Sequence, residues 1–376
     1  MPGFSSMDDL ITEMTTNGKF RRTDWNKLTH AVGAQAAGVW YALFHSTGNP
    51  AAATLGAVGT NLAWHPCTDR STGAILHGGD VSTDTKHILN ASAFSAAATS
   101  MPAVFMLVDM LGWYPVTTTT TTGDQTLVNS VTFTANAGTD LLTYAAWDIQ
   151  SYTAVQFTNS GGALPAGLSA ATTDYLRRAS ATTASVHTTL ANVDSNTPVD
   201  ITGAGTGTHT LTMTLGRYED GKGVQCFVTP SVVLGAGTPN IQITYVDTGD
   251  ASSVTPTTLP ISNATAPVGQ IEYSGTAAGK YGPFVPLGAG DQGMKRATAF
   301  NYSATHTSGT TNLVLCRPLL TLPMTTIGVA CERDLLNQVP SLPRVYDGAC
   351  LSWLMYAGAA TPVSSAFYGH LDFVWG

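Results

Sequence analysis

His77, Asp80, Asp84 and His87 fall within eleven residues of one another. Imidazole nitrogens and carboxylate oxygens together make a ligand set for a divalent metal. Their spacing fits neither a helical metal motif nor a cysteine ribbon. The expectation is a polar loop whose side chains satisfy nearby backbone groups, with a metal at an oligomer axis as the alternative. Gly288, Gly290 and Gly293 spell GxGxxG. A dinucleotide site needs a helix after that loop. Here MKRATAFNYSAT follows and reads as a strand, so a tight loop and no cofactor are expected.

Carboxylates are the next candidates. Glutamate occurs only at 13, 219, 272 and 332, and the twenty aspartates lie mostly in turns. Glycan cleavage needs two carboxyl groups about 5–10 Å apart across a cleft. Asp347 with Glu332 or Asp334 is the pair to consider, and turn capping is the better reading. The string holds no GxSxG, HExxH, Walker A or Cys–His motif, so the expected role is not catalytic. Arg317, Arg333 and Arg344 stand in an apolar C-terminal stretch. Arginines in such surroundings pair with carboxylates, and ion pairs to Glu332, Asp334 or Asp347 are expected. Together with Trp353 and Trp375 they are also the candidate interface residues.

These side chains need elements to hold them. Residues 312–376 are the densest apolar part of the chain. Strand-like runs there alternate with corners at Pro318, Pro323, Pro340, Pro343 and Pro362. In the last run Leu371, Phe373 and Trp375 alternate with His370, Asp372 and Val374, the pattern of a half-buried strand. Met101 to Tyr114 is apolar on both faces, as in a strand buried between layers or a short buried helix. Ile241, Ile243 and Tyr245 alternate as a strand. Ser6, Asp8 and Asp9 open a short helix whose apolar positions are Met7, Leu10, Ile11 and Met14. That helix is expected to dock on its own domain or on a neighbouring subunit.

Near residue 130 the texture changes to Thr, Ala, Ser and Gly with single aromatics, and near 216 it changes back. This suggests a core in two parts, 1–129 and 216–376, interrupted by a β module at 130–215 that projects from an exposed loop. Tyr218 to Gly223 reads as a turn. Short strands, frequent turn signals and no long helical pattern predict a mainly β protein. A β-sandwich or jelly-roll core with a short N-terminal helix and an inserted β module is expected.

Composition narrows the partners. Only 11% of the 376 residues are charged, against about 25% usually. Low charge suggests surface that meets protein rather than water. A net charge of −8 argues against general nucleic-acid binding. Lys19, Arg21, Arg22 and Lys27 form a local basic cluster, expected to be a solvated surface or to pair with a neighbouring subunit, with contact to packaged nucleic acid as the alternative. Five well-separated cysteines suggest buried thiols and a reducing cytoplasm. MPGFSSMDDL does not read as a signal peptide, and the longest apolar run is short and broken by Asp109, so no membrane contact is expected. The seven tryptophans, spread evenly, are expected in core and interfaces.

One stretch carries a resemblance. Within Val155 to Leu211 the strings FTNSGGALPAGLSAATTDYLR, SVHTTL and VDITGAGTGTHTL resemble a small β module that recurs in virion proteins of tailed bacteriophages. It covers about 55 residues. The flanking strings GPFVPLGAGDQG, LVLCRPL and ERDLLNQVPSLPRVYDGACL also resemble phage virion proteins. The resemblance implies a non-enzymatic virion component assembled in the host cytoplasm, with itself and other virion proteins as partners. A capsid-associated decoration or cementing role is expected. The alternatives are a tail, neck or fibre appendage that binds a host-surface glycan through the inserted module, and the major protein of a β-rich shell. The common shell-protein pattern includes a long spine helix that the sequence lacks.

Overall fold

Two long strands tie the molecule together in a computed structural model of the chain. The model describes residues 4–29, 35–53, 55, 62–81, 83–95, 102–145, 149–170, 172–255, 259–261, 265–274, 282–338 and 342–376. Strands take up 47% and helices 6%, about twice the usual strand share, so the chain is mainly β as expected. The strand Ala103–Val116 pairs antiparallel with Thr310–Met324 over almost its whole length. Register shifts occur between Leu315 and Cys316 and between Pro318 and Leu320. On either side of the irregularity the two strands feed different cores. Phe105, Leu107, Leu320, Leu322 and Met324 belong to one, and Met110, Trp113, Tyr114, Leu313 and Leu315 to the other. This is why Met101 to Tyr114 reads as apolar on both faces. It is a strand, not a helix.

The central sheet is completed by Leu351–Ala357 and Val39–Ala42 on one side and Gln225–Val232 on the other. A second sheet orders Cys331–Asp334, Lys86–Ala93, Ala366–Trp375, Phe20–Leu28 and Gly48–Asn49. It packs on the first core through Trp25, Ile88, Phe367, Leu371 and Phe373. Trp353 lies here, 1% exposed. Its ring centroid is 5.1 Å from that of Trp25 and 6.0 Å from that of Phe105. Trp353 is therefore a core residue, which corrects its reading as an interface residue. A third sheet, built on Asn240–Asp247 and Met294–Tyr302 with Gly123–Thr126 and Ser252–Val254 at its edges, covers the second core with Ile241, Ile243, Tyr245, Phe300 and Tyr302. The β-sandwich expected from the sequence is present twice, sharing one central sheet.

The final strand departs from simple alternation. Leu371 and Phe373 face the core, but Asp372 and Val374 are buried as well. A register shift falls between Asp372 and Phe373, and the N-terminal helix Met7–Thr15 packs against this strand. The Ser6 hydroxyl caps that helix by accepting from the Asp9 amide at 3.1 Å. Leu10 is its buried residue, while Met7 and Ile11 stay half exposed. Of the two readings for the helix, docking on its own chain is the one observed.

Residues 130–213 carry a closed six-stranded barrel. Its strands are Ser130–Asn136, Leu141–Tyr144, Ala154–Ser160, Asp174–Arg178, Thr183–His187 and Thr208–Met213. Val131, Phe133, Leu142, Val155, Phe157, Leu176, Val186 and Leu211 are buried within it, as side chains fill any small barrel. The strand read at SVHTTL ends at His187. Thr189 there turns to cap the helix Leu190–Ser195 by accepting from Asn192 N–H at 3.1 Å, the role its hydroxyl favours. The barrel is docked on the core: Arg70 reaches Asp194 at 2.9 Å, and Asp194 is held within the barrel by the Tyr152 hydroxyl, which donates to it at 2.9 Å. Among the described residues no helix is long and apolar enough to cross a membrane. Trp147 lies outside the described residues.

Candidate functional site

The four metal-type residues are not brought together. Among the described residues no three of His, Cys, Asp and Glu are grouped as a metal would need. His77 is buried with both ring nitrogens engaged. Nδ1 accepts from Lys86 Nζ at 2.9 Å, so Nε2–H donates to Ala349 O at 3.1 Å. Burial, then the Lys86 charge, push its pKa down to about 3, so the ring is neutral. Asp80 instead faces Arg70 at 3.2 Å, Asp84 faces Lys19 at 2.9 Å, and His87 lies 3.3 Å from Leu342 O. The polar-loop reading describes what is seen. The loop at Gly288, Gly290 and Gly293 runs into the strand Met294–Tyr302 rather than into a helix.

The basic cluster is also corrected. Lys27 is buried and donates to Ser46 O at 3.0 Å and Pro50 O at 2.8 Å, and burial lowers its pKa to about 8. Arg22 forks onto Asp372 with two contacts of 2.7 Å, and Lys19 holds Glu13 and Asp84, each at 2.9 Å. Among the described residues Arg21 alone of the four has neither a carboxylate partner nor a buried amine, and it hydrogen-bonds Thr23.

Arg317, Arg333 and Arg344 do converge. They line one open cleft of about 830 Å³, together with Tyr218, Lys222, Leu319, Leu335, Leu342 and Tyr346. Four pieces of chain build it: the turn after the barrel, the middle of Thr310–Met324, the segment of Arg333 and Leu335, and the segment around Arg344–Val345. The expected ion pairs are absent. Among the described residues none of the three arginines has a carboxylate partner. Glu332 instead accepts from Asn90 at 2.6 Å. Asp334 accepts from Leu336 N at 3.0 Å and from Asn337, and Asp347 accepts from Val81 N at 3.1 Å and sits 3.8 Å from Lys86. The strand register explains this. Glu332 lies opposite Ser92 on the outer sheet, with its neighbour Arg333 on the alternate face.

Carbonyls and rings hold the arginines instead. Arg317 donates to Lys222 O, and Arg333 donates to Thr321 O at 2.9 Å. Arg344 lies 4.2 Å over the Tyr346 ring, and Arg317 lies 5.6 Å over Tyr218. The two tyrosine rings meet edge to face at 4.7 Å. Gly223, at φ +66°, makes room: a Cβ there would overlap the Arg317 guanidinium. Trp375, the last interface candidate, is half-buried beside Gly78 and is not among the cleft residues.

Beneath the cleft lies a pair that the sequence reading missed. Arg217 Nε donates to Asp109 Oδ2 at 2.7 Å, and its Nη2 donates to Asp109 Oδ1 at 2.6 Å, Met110 O at 2.6 Å and Cys67 O at 3.0 Å. Asp109 Oδ1 also accepts from Cys350 N at 2.9 Å. Asp109 is fully buried and Arg217 nearly so. Burial alone would lower the Arg217 pKa, but Asp109 holds it above its ordinary value. Asp109 read only as the break in an apolar run. A charge inside such a run needs a partner, and that was the signal available. Burial raises the pKa of the neighbouring Tyr218 hydroxyl.

The barrel carries a second concavity, a groove of about 650 Å³ lined by Phe133, Tyr144, His209 and threonines. Asn159 pairs with His209 across the ladder. Both amide atoms of Asn159 and His209 Nδ1 are buried with no hydrogen-bond partner. No family model matches the chain, and no curated protein matches it.

Proposed function

We propose that this chain is a non-enzymatic structural component of a bacteriophage particle, a capsid-associated decoration or cementing protein that works by self-association. One observation carries the reading. The stretch that resembles the recurring virion module supplies four of the six strands of a closed barrel, which stands in the chain between two parts of a β scaffold. A closed barrel leaves no free strand edge, so it can stand on a scaffold without pairing indiscriminately. The low charge and the exposed Met7, Ile11, Val232, Val233, Ile327 and Val329 support burial against other subunits. Sedimentation equilibrium of the purified chain tests the mechanism. A closed homo-oligomer is expected, and a monomer at every concentration would count against it.

The open groove on the barrel, lined by Phe133, Tyr144, His209 and threonines, favours a second reading, an appendage protein that binds a host-surface glycan there. A glycan array probed with the full chain, and with His209→Ala as control, separates the two readings. Binding lost in the variant supports the appendage role, and no binding removes it.

A further inference from the structure

We propose that the arginine cleft is a receptor for the carboxylates of an extended acidic polypeptide segment supplied by another chain. The inference does not depend on the particle reading, because it rests on the cleft alone.

Charge is the first argument. The chain carries a net charge of −8. Apart from the Arg217–Asp109 pair, four cations (Arg317, Arg333, Arg344 and Lys222) line this cleft against two carboxylates, Glu219 and Asp220. Both carboxylates are engaged. Glu219 accepts from the Thr173 hydroxyl at 2.6 Å, and Asp220 accepts from Lys222 N at 3.2 Å and sits 3.8 Å from the Lys222 amine, which leaves the three arginines as the cations without a carboxylate. Elsewhere Arg22, Arg70 and Arg217 each hold an aspartate. Three guanidinium groups without a carboxylate, gathered in one cleft of an acidic chain, leave a place for carboxylates from outside.

Preorganisation is the second. Arg317 and Arg333 are each fixed by one carbonyl, and Arg344 by stacking on Tyr346. A guanidinium has five N–H donors, so each group keeps a fork free for bidentate carboxylate contact. Holding the arginines in place beforehand lowers the entropy cost of binding. Gly223 belongs to this device, since a side chain there would displace Arg317.

Shape selects a peptide. The volume of about 830 Å³ exceeds what one small anion fills, and lies in the range of sites for larger ligands. An apolar ledge of Leu319, Leu335, Leu342 and Pro343 runs beside the arginines and suits side chains between carboxylates. The strand Thr310–Met324 is paired by Gln225–Val232 only as far as Cys316. Beyond it that edge carries Pro318 and Pro323, which lack N–H donors and disfavour an added strand. Recognition then falls to the guanidinium groups.

The test uses the full chain and a fluorescein-labelled hexaglutamate peptide, read by fluorescence anisotropy at low and high salt. Wild type is expected to bind, more weakly as salt rises. Arg333→Gln with Arg344→Gln is expected to raise Kd at least about tenfold, while Arg21→Gln outside the cleft leaves Kd unchanged. Circular dichroism and the urea midpoint report that the variants fold. As a converse, Arg333→Glu with Arg344→Glu is expected to lose hexaglutamate and take up hexalysine. The proposal is overturned if hexaglutamate does not bind wild type, or binds the double variant equally. It is also overturned if inorganic phosphate or a single-stranded oligonucleotide displaces the peptide better than unlabelled hexaglutamate does.

Discussion

Asp109→Ala is expected to be among the costliest single substitutions in this chain. It leaves the Arg217 guanidinium buried, with carbonyls at 2.6 and 3.0 Å and no counter-charge. It also removes the acceptor of the Cys350 amide. Breaking a buried pair from one side costs about 3–5 kcal/mol. Total stabilities run at about 5–15 kcal/mol, so about a fifth or more of the stability is at stake. Arg217→Met strands Asp109 instead, with only the Cys350 amide left to it, and costs a similar amount. The double variant Asp109→Asn/Arg217→Met removes both charges and keeps an acceptor for that amide. Its cost should therefore fall well below the sum of the singles, with a coupling of about 2–3 kcal/mol. Urea unfolding of wild type, Asp109→Asn, Arg217→Met and the double variant, followed by tryptophan fluorescence and far-ultraviolet dichroism, measures the cycle, with Asp109→Ala alongside. Because Arg217 directly follows the barrel, loss of the pair should also bring barrel unfolding to lower urea than core unfolding. Additive costs, or an Asp109→Ala cost under about 1 kcal/mol, would refute the reasoning.

Other predictions follow from particular side chains. Glu272 is buried, accepts from Tyr302 and Thr311 at 2.6 Å each, and burial raises its pKa from 4.5 to about 7. A raised folded-state pKa adds stability that is full below pH 4.5 and is lost as pH rises through 7. The shift corresponds to roughly 3 kcal/mol, so Glu272→Gln should match wild type near pH 4.5 and exceed it near pH 8; parallel urea midpoints across that range would contradict this. Trp353→Ala should cost about 3–5 kcal/mol through the cavity it leaves without changing the oligomeric state, and a changed sedimentation mass in the folded variant would return Trp353 to the interface. Gly223→Ala should cost about 1 kcal/mol or more, because φ is +66° and a Cβ meets Arg317. The same variant should weaken hexaglutamate binding, and unchanged affinity would argue against the seating of Arg317.

Much of the fold was legible because apolar periodicity is local. The strand at Ile241, Ile243 and Tyr245 and the cap at Ser6 could be read from neighbours in sequence. The texture change near residue 130 also marks where the barrel strands begin. Long-range pairing was not legible. Nothing local shows that Ala103–Val116 serves two cores, or that Asp109 meets Arg217 across 108 positions. The interface candidates divided for the same reason. Arg317, Arg333 and Arg344 share a cleft because their three segments fold back on one another and on the distant turn after the barrel. Trp353 was drawn into the core by Trp25 and Phe105 on strands far away in sequence. The expected ion pairs failed on strand alternation, which sets Glu332 and Arg333 on opposite faces.

Quantitative mass spectrometry of gradient-purified particles tests the central claim most directly. The account predicts peptides of this chain in the particle fraction, in fixed proportion to the shell protein and at many copies per particle. Finding the chain only in the soluble lysate, with none in purified particles, would contradict it.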